Sequence, residues 1–324
     1  MDMSSLAVLP IAPPRPEGME PATWTIGSAC LTGILLEVSV HPKPGLVTPR
    51  SMGAHRDMDL QTFMLTSAAI APCFHRCAAI GLSHADDPAA VLALVRTVGR
   101  DYDRRLLAAS NGVNTQRGAL FALGLTAAAA GLCHDDRRPM CPDRVFAATA
   151  AITRGIVERE LETRRRDPVT AGEILFDRHG VTGIRGEVEA GFPTVAAHGL
   201  PALRAALTQE VELNRALLHA LIAIVAAAED TTVLWRGGPE GLAFVRERAA
   251  RICDLGGALT GRGLAEIHRF ADDCVARRLS PGGGADLLAV TVAIHLLETG
   301  SFPAQVTSRF DMSASNGPAP GENP

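Results

Sequence analysis

The chain has 324 residues, 47% hydrophobic and 20% charged, with a formal net charge of −4. That balance supports a sizeable buried core and excludes a general nucleic-acid binder, which needs a basic face. Aromatic residues make up only 4%, too few for a base-stacking surface.

Residues 1–22 hold Pro10, Pro13, Pro14, Pro16 and Pro21 with little periodicity, and read as a disordered tail. No basic segment precedes an apolar run there, so no signal peptide is expected. Apolar residues at three- and four-residue spacing then predict helices over 25–40, 59–80, 88–109, 118–132, 144–164, 200–228, 240–255, 263–278 and 285–298. Alanine and leucine, strong helix formers, dominate these stretches. No alternating run is long enough for a strand, and no repeat of fixed period is present. The longest charge-free apolar stretch, 118–133, is shorter than the roughly 20 residues a membrane span needs, so no membrane association is expected. Residues 303–324 end in Gly, Pro, Ser and Asn and read as a mostly disordered tail. Residues 23–302 are therefore expected to form a single all-α domain, a compact multi-helix bundle with glycine-rich functional loops at helix ends. Seven cysteines, none in CxxC spacing, fit reduced thiols and a cytoplasmic location.

The connections carry the polar residues. Ser280-Pro281-Gly282-Gly283-Gly284-Ala285-Asp286 runs into a helical stretch. Gly282, Gly283 and Gly284 leave the first-turn N–H groups open to an anion such as phosphate, and Asp286 is placed to cap that helix or hold a metal. In His41-Pro42-Lys43-Pro44-Gly45 two prolines stiffen the backbone around Lys43, which reads either as an anion contact or as a solvated lysine. Asp57 and Asp59, two residues apart beside a helix start, suit a hard cation or ordinary helix capping. Asn114 and Thr115 precede Arg117, a bidentate phosphate clamp unless a carboxylate pairs with it. Arg185 and Glu187 share a glycine-bounded turn. Glu229 and Asp230 close an apolar helix where carboxylates oppose the dipole, and Arg236-Gly237-Gly238 follows. No P-loop, GxSxG or HExxH pattern is present. From these residues the reading is an all-α, Mg²⁺-dependent enzyme for a phosphorylated ligand, with Lys43, Arg117, Arg185 and Arg236 as anion contacts.

Taken in order, Pro42-Lys43-Pro44-Gly45-Leu46-Val47, Gly53-Ala54-His55-Arg56-Asp57-Met58-Asp59, Asn114-Thr115 with Arg117-Gly118, Arg185-Gly186-Glu187, Glu229-Asp230-Thr231, Arg236-Gly237-Gly238 and Ser280-Pro281-Gly282-Gly283 resemble the triphosphoribosyl-dephospho-CoA synthases. The resemblance spans about residues 28–300. It implies transfer of the 5-triphosphoribosyl group of ATP to the 2′-hydroxyl of 3′-dephospho-CoA, with release of adenine. The product is the prosthetic-group precursor of citrate lyase or malonate decarboxylase, passed on to a holo-acyl-carrier transferase. On this reading Glu187 or Asp230 takes the hydroxyl proton. Asp57, Asp59, Asp230 and Asp286 are the metal candidates. Lys43, Asn114, Thr115, Arg117, Arg185, Arg236 and the three glycines bind substrate. Thr48, Gln116, Thr232 and Trp235 depart from the family's usual Asp, His or Lys, Asn and His. Two other readings are a prenyl-diphosphate-handling α-fold, which lacks its DDxxD motif here, and a non-catalytic helical scaffold.

Overall fold

A helix that is apolar on every face must be surrounded by other helices. Two stretches of this chain have that character, and the computed structural model puts both at the centre. The structure describes residues 17–307 apart from residue 86. Those residues form α1 (Pro21–Ser39), α2 (Leu60–Ser83), α3 (Pro88–Ala109), α4 (Arg117–Cys133), α5 (Pro142–Thr153), α6 (Ala171–His179), α7 (Ile184–Glu189), α8 (Leu200–Thr208), α9 (Leu213–Ala227), α10 (Thr231–Asp254), α11 (Gly261–Arg277), α12 (Gly282–Thr299) and α13 (Ala304–Thr307), with no β-strand among them. The all-α expectation holds. α4 and α12 are these helices, apolar round most of their circumference and buried along most of their length. α1, α2, α3 and α5 pack around α4; α1, α8, α9 and α10 pack around α12; and α4 and α12 touch each other.

Differences from the expected helices have local causes. The stretch 144–164 stops as an α-helix at Thr153, because Gly155 takes a positive φ of 71°. The stretch 200–228 is split where Glu210 adopts φ 52°. α6 was not expected, although Thr170 and Glu173 form a reciprocal capping box at its start. Gly238 (φ 63°, ψ −169°) and Pro239 interrupt α10, where the Gly/Pro cluster predicts a break. The tails expected at 1–22 and 303–324 lie largely outside the described residues. Within them, Glu20 caps α1 through Ala22 and Thr23, and Val306 is buried. α1 and α2 are long and apolar enough to cross a membrane by length and composition. Here they pack against α4 and each other.

Small residues set the helix spacing. A Cβ at Gly81 of α2 would lie 2.0 Å from the Ala128 carbonyl oxygen of α4, and one at Gly131 would lie 2.3 Å from that of Ala78. Gly33 of α1 meets the Ala289 carbonyl of α12 in the same way, at 2.3 Å. Gly81→Ala and Gly33→Ala are each expected to cost about 1–3 kcal/mol in urea unfolding, as overpacking does. Gly99→Ala, which meets nothing within 4 Å, is expected to leave stability unchanged or raise it by up to about 1 kcal/mol. Equal losses at all three positions would refute this packing account.

Candidate active site

The glycine-containing connections converge at one end of the bundle. The starts of α2, α4, α7, α10 and α12 and the end of α1 surround a cavity of about 1140 Å³. Single small-molecule sites span roughly 300–1,000 Å³, so there is room here for two ligands. Helix starts present free N–H groups and a partial positive charge, a setting that favours polyanions.

Asp230 organises this end. It is the N-cap of α10, and its Oδ1 accepts from the Thr232 and Val233 N–H groups at 2.8 and 3.0 Å. Its Oδ2 accepts from the Gly284 N–H of α12 at 2.8 Å. One buried carboxylate thus joins two helix starts. Burial pushes its pKa up, partly countered by these N–H donors. The glycine turn of α12 was expected to offer its N–H groups to a phosphate. The Gly284 N–H instead holds the carboxylate of Asp230, while the Gly282 N–H donates to the Ser280 carbonyl at 2.9 Å. Gly282 and Gly283 still line the cavity. Their missing side chains matter, because a Cβ at Gly283 would sit 3.1 Å from Asp230 Oδ2.

Lys43 is buried rather than presented on the surface. Its Nζ donates to Glu37 Oε1 at 2.5 Å and to the Glu37 carbonyl at 2.8 Å. Burial pulls its pKa down and the Glu37 carboxylate opposes that shift. An ammonium group has three donors, so one remains for the cavity that Lys43 lines.

The four expected anion contacts differ in how their charge is spent. Arg117 is clamped by Asp103, with Nε at 2.6 Å and Nη2 at 2.9 Å from its two oxygens. Arg185 donates to Glu160 at 2.9 Å, and Glu160 also pairs with Arg96. Lys43 is paired with Glu37. Arg236 alone among the four has only neutral partners, the Ala54 carbonyl at 3.1 Å and His55 Nδ1 at 3.0 Å. A guanidinium only donates, so Nδ1 of His55 is the acceptor. Its Nε2 therefore carries the proton and donates to Ser280 Oγ at 2.9 Å. Burial and the neighbouring Arg236 charge push the His55 pKa down to about 4, so the ring is neutral at pH 7.

Glu187 lies in α7 and lines the cavity. Thr194 donates to it twice, from Oγ1 to Oε1 at 2.5 Å and from N to Oε2 at 3.3 Å. Burial raises its pKa against those donors. Asp286 stands against α4, where a Cβ on Gly118 would lie 1.8 Å from its Oδ2. Burial, then the charges of Asp230 and Glu37, push the Asp286 carboxyl well above the usual range.

The remaining expected residues divide. Thr115 lines the cavity and donates to Thr66 at 3.2 Å, and Asn114 is exposed at its rim. Asp57 is exposed beside His55. Asp59 caps α2, accepting the Thr62 N–H and hydroxyl at 2.9 and 2.7 Å, and does not line the cavity. Of the four departures, Gln116 is buried and tied to Thr66 and Ser67 of α2. Thr48 holds His41 at 3.1 Å, away from the cavity wall. Thr232 and Trp235 line the cavity, and Trp235 is 52% exposed. Arg96, Arg100 and Glu160 also reach the cavity and were not anticipated. α3 and the turn at Glu158–Glu162 carry them, and in sequence they look like ordinary charged helix faces.

Fold and site together define an all-α protein with a large cavity at one end, lined by helix starts and by both cations and carboxylates. The chain belongs to the family described as CitG, ATP:dephospho-CoA triphosphoribosyl transferase, whose profile matches residues 23–302. It is 39% identical over 291 residues to the probable 2-(5″-triphosphoribosyl)-3′-dephosphocoenzyme-A synthase of Malonomonas rubra, covering 89% of this chain and 92% of the relative. It is 39% identical over 296 residues to the 2-(5″-triphosphoribosyl)-3′-dephosphocoenzyme-A synthase of Klebsiella pneumoniae, covering 90% and 98%. No solved structure matches the chain. Family membership makes the chain a transferase and sets aside the prenyl-diphosphate and scaffold readings.

Asp230→Ala removes a helix cap and leaves buried N–H groups unpaired. It is expected to lower unfolding free energy by about 2–4 kcal/mol in urea titration. A loss below about 0.5 kcal/mol, the level of an ordinary surface change, would show that Asp230 does not join the two helices.

Proposed function

We propose that the cavity holds ATP and 3′-dephospho-CoA side by side, and that Glu187 receives the proton of the attacking 2′-hydroxyl. The observation that carries this reading is the charge state of the arginines. Among the described residues Arg236, in the cavity wall beside the starts of α10 and α12, has no carboxylate partner. A triphosphate brings the negative charge that completes it. In the reaction the acceptor oxygen bonds to C1′ of the ATP ribose as the bond from C1′ to adenine breaks. The hydroxyl proton goes to Glu187, and adenine takes up a proton as it leaves. The transition state has oxocarbenium character.

Glu187 suits the base role better than Asp230. Each oxygen of Asp230 is already bonded to backbone N–H groups. Oε2 of Glu187 has one long contact and keeps acceptor capacity. Its raised pKa also makes it a stronger proton acceptor than an ordinary glutamate.

Mg²⁺ fits in a limited sense. Among the described residues no three His, Cys, Asp or Glu side chains are grouped to hold a metal. A Mg²⁺ carried by nucleotide phosphates needs only one or two protein carboxylates. Asp286, whose carboxyl is pushed up by burial and then by the Asp230 and Glu37 charges, would supply one, because a cation beside it favours its ionised form. Asp59 is spent on its helix cap. When bound there, the ion would neutralise phosphate charge. The product is proposed to pass to a holo-acyl-carrier transferase serving citrate lyase or malonate decarboxylase. Seven free cysteines fit a reducing compartment, and the cytoplasm is the proposed location.

Glu187→Gln is expected to reduce adenine release by roughly 10²–10⁴-fold with an unchanged melting temperature. In the unsubstituted enzyme kcat/KM should fall as pH drops through the raised Glu187 pKa, at a higher pH than an ordinary glutamate would give. An acid limb unchanged by Glu187→Gln would rule Glu187 out as base. Arg236→Ala is expected to weaken ATP binding roughly 10- to 100-fold, the worth of a charged hydrogen bond. Arg117→Ala should cost less, because Asp103 already holds that charge. The reverse order, read by titration calorimetry, would overturn the assignment of the triphosphate to Arg236.

A further inference from the structure

A second groove, of about 650 Å³, lies on the far side of the Arg96–Glu160 ion pair. Leu92, Arg96 and Glu160 line both spaces, so this pair and Leu92 form the wall between them. The groove runs between α3 and α5. Its apolar lining comes from the buried Ile152, the half-buried Leu92 and the exposed Ala89 and Ala93. Its rim is cationic, from Arg96, Arg154 and Arg159. Arg154 and Arg159 have no carboxylate partner among the described residues, and Nε of Arg96 is buried with no hydrogen-bond partner. The groove's Asp87 is occupied as the cap of α3, accepting from the Ala90 N–H.

We propose that this groove binds the diphosphate and pantetheine arm of dephospho-CoA, while its adenosine ribose lies in the main cavity. The inference rests on the proposed placement of dephospho-CoA beside ATP. In that acceptor the reacting 2′-hydroxyl sits at one end and a long, weakly polar arm with a terminal thiol at the other. A diphosphate lies between them. On the proposed placement, with the ribose held at Glu187, the diphosphate and arm extend away from the reacting centre, toward the wall that Arg96 and Glu160 form. The groove offers unneutralised arginines, Arg154 and Arg159, for the diphosphate and apolar side chains for the arm, and only Leu92, Arg96 and Glu160 separate it from the cavity. A volume of 650 Å³ is within the usual range for a small-molecule site.

The thiol provides a test that does not depend on turnover. The full chain carrying Cys141→Ser, to silence an exposed native thiol, receives either Ala93→Cys or Ala89→Cys in the groove. A control carries Val275→Cys on α11, where Val275 is 44% exposed. Each is treated with the symmetric disulfide of dephospho-CoA. The protein thiolate attacks it, one dephospho-CoA thiol leaves, and a mixed disulfide remains on the protein. Rates are followed by intact mass and normalised to those with hydroxyethyl disulfide. A groove cysteine should react at least ten times faster than the control after normalisation, and excess ADP should slow it. Normalised rates within twofold of the control at both groove positions would overturn the inference, as would faster trapping that ADP does not affect. Adenine release by the unsubstituted protein reports separately on the underlying reading. Release without trapping sinks only the groove, whereas no release sinks the placement of both substrates.

Discussion

The carboxylate of Asp230 holds the starts of α10 and α12 in register at the cavity. Its two oxygens accept from the starts of α10 and α12, which arrive from different parts of the chain. α12 is buried on nearly every face and has little freedom to shift. Tying α10 to it fixes Arg236 one turn further along. From there the chain of contacts runs through His55 to Ser280, back to the loop just before α12. The site is therefore a closed set of backbone and side-chain bonds rather than a set of flexible loops. A buried carboxylate can do this because N–H groups of two helix starts share its charge.

The second theme is how positive charge is distributed around a polyanion site. Most cavity cations already have a carboxylate partner: Lys43 has Glu37, Arg117 has Asp103, and Arg185 and Arg96 share Glu160. Balanced pairs rigidify the wall without attracting every anion. Arg236 is kept charged and free of carboxylates by a neutral histidine whose tautomer is set by its partners. Across the cavity, Glu187 and Asp286 both have carboxyls pushed upward by burial. The proposed chemistry divides one cavity lining between groups that hold phosphate and a carboxylate that takes up a proton. A transfer in which the phosphates stay on the ribose and the base departs needs that division.

Much of this was legible in the chain. The three- and four-residue periodicity gave the all-α class and most helices, because alanine- and leucine-rich stretches leave little ambiguity. The loops with paired polar residues and glycines were also visible, and most of them meet at the cavity. Partnership could not be read. Arg117 and Arg185 look like phosphate contacts in sequence, but Asp103 and Glu160 come from other elements 14 and 25 residues away. Lys43 looked presented on a stiff turn, yet that turn folds inward onto Glu37. The Gly282–Gly284 turn reads in sequence as a phosphate site, but a carboxylate of the same protein takes the Gly284 N–H. Arg96 and Arg100 were hidden in an amphipathic helix, where a charged residue on a solvated face and one on a cavity wall have the same spacing.

The most direct test is to mix the purified protein with ATP, Mg²⁺ and 3′-dephospho-CoA, following free adenine by chromatography and the coupled product by mass. The account predicts adenine release that requires dephospho-CoA, with all three phosphates kept in the product. Release of ADP or phosphate in place of adenine, or adenine release that ignores dephospho-CoA, would contradict it.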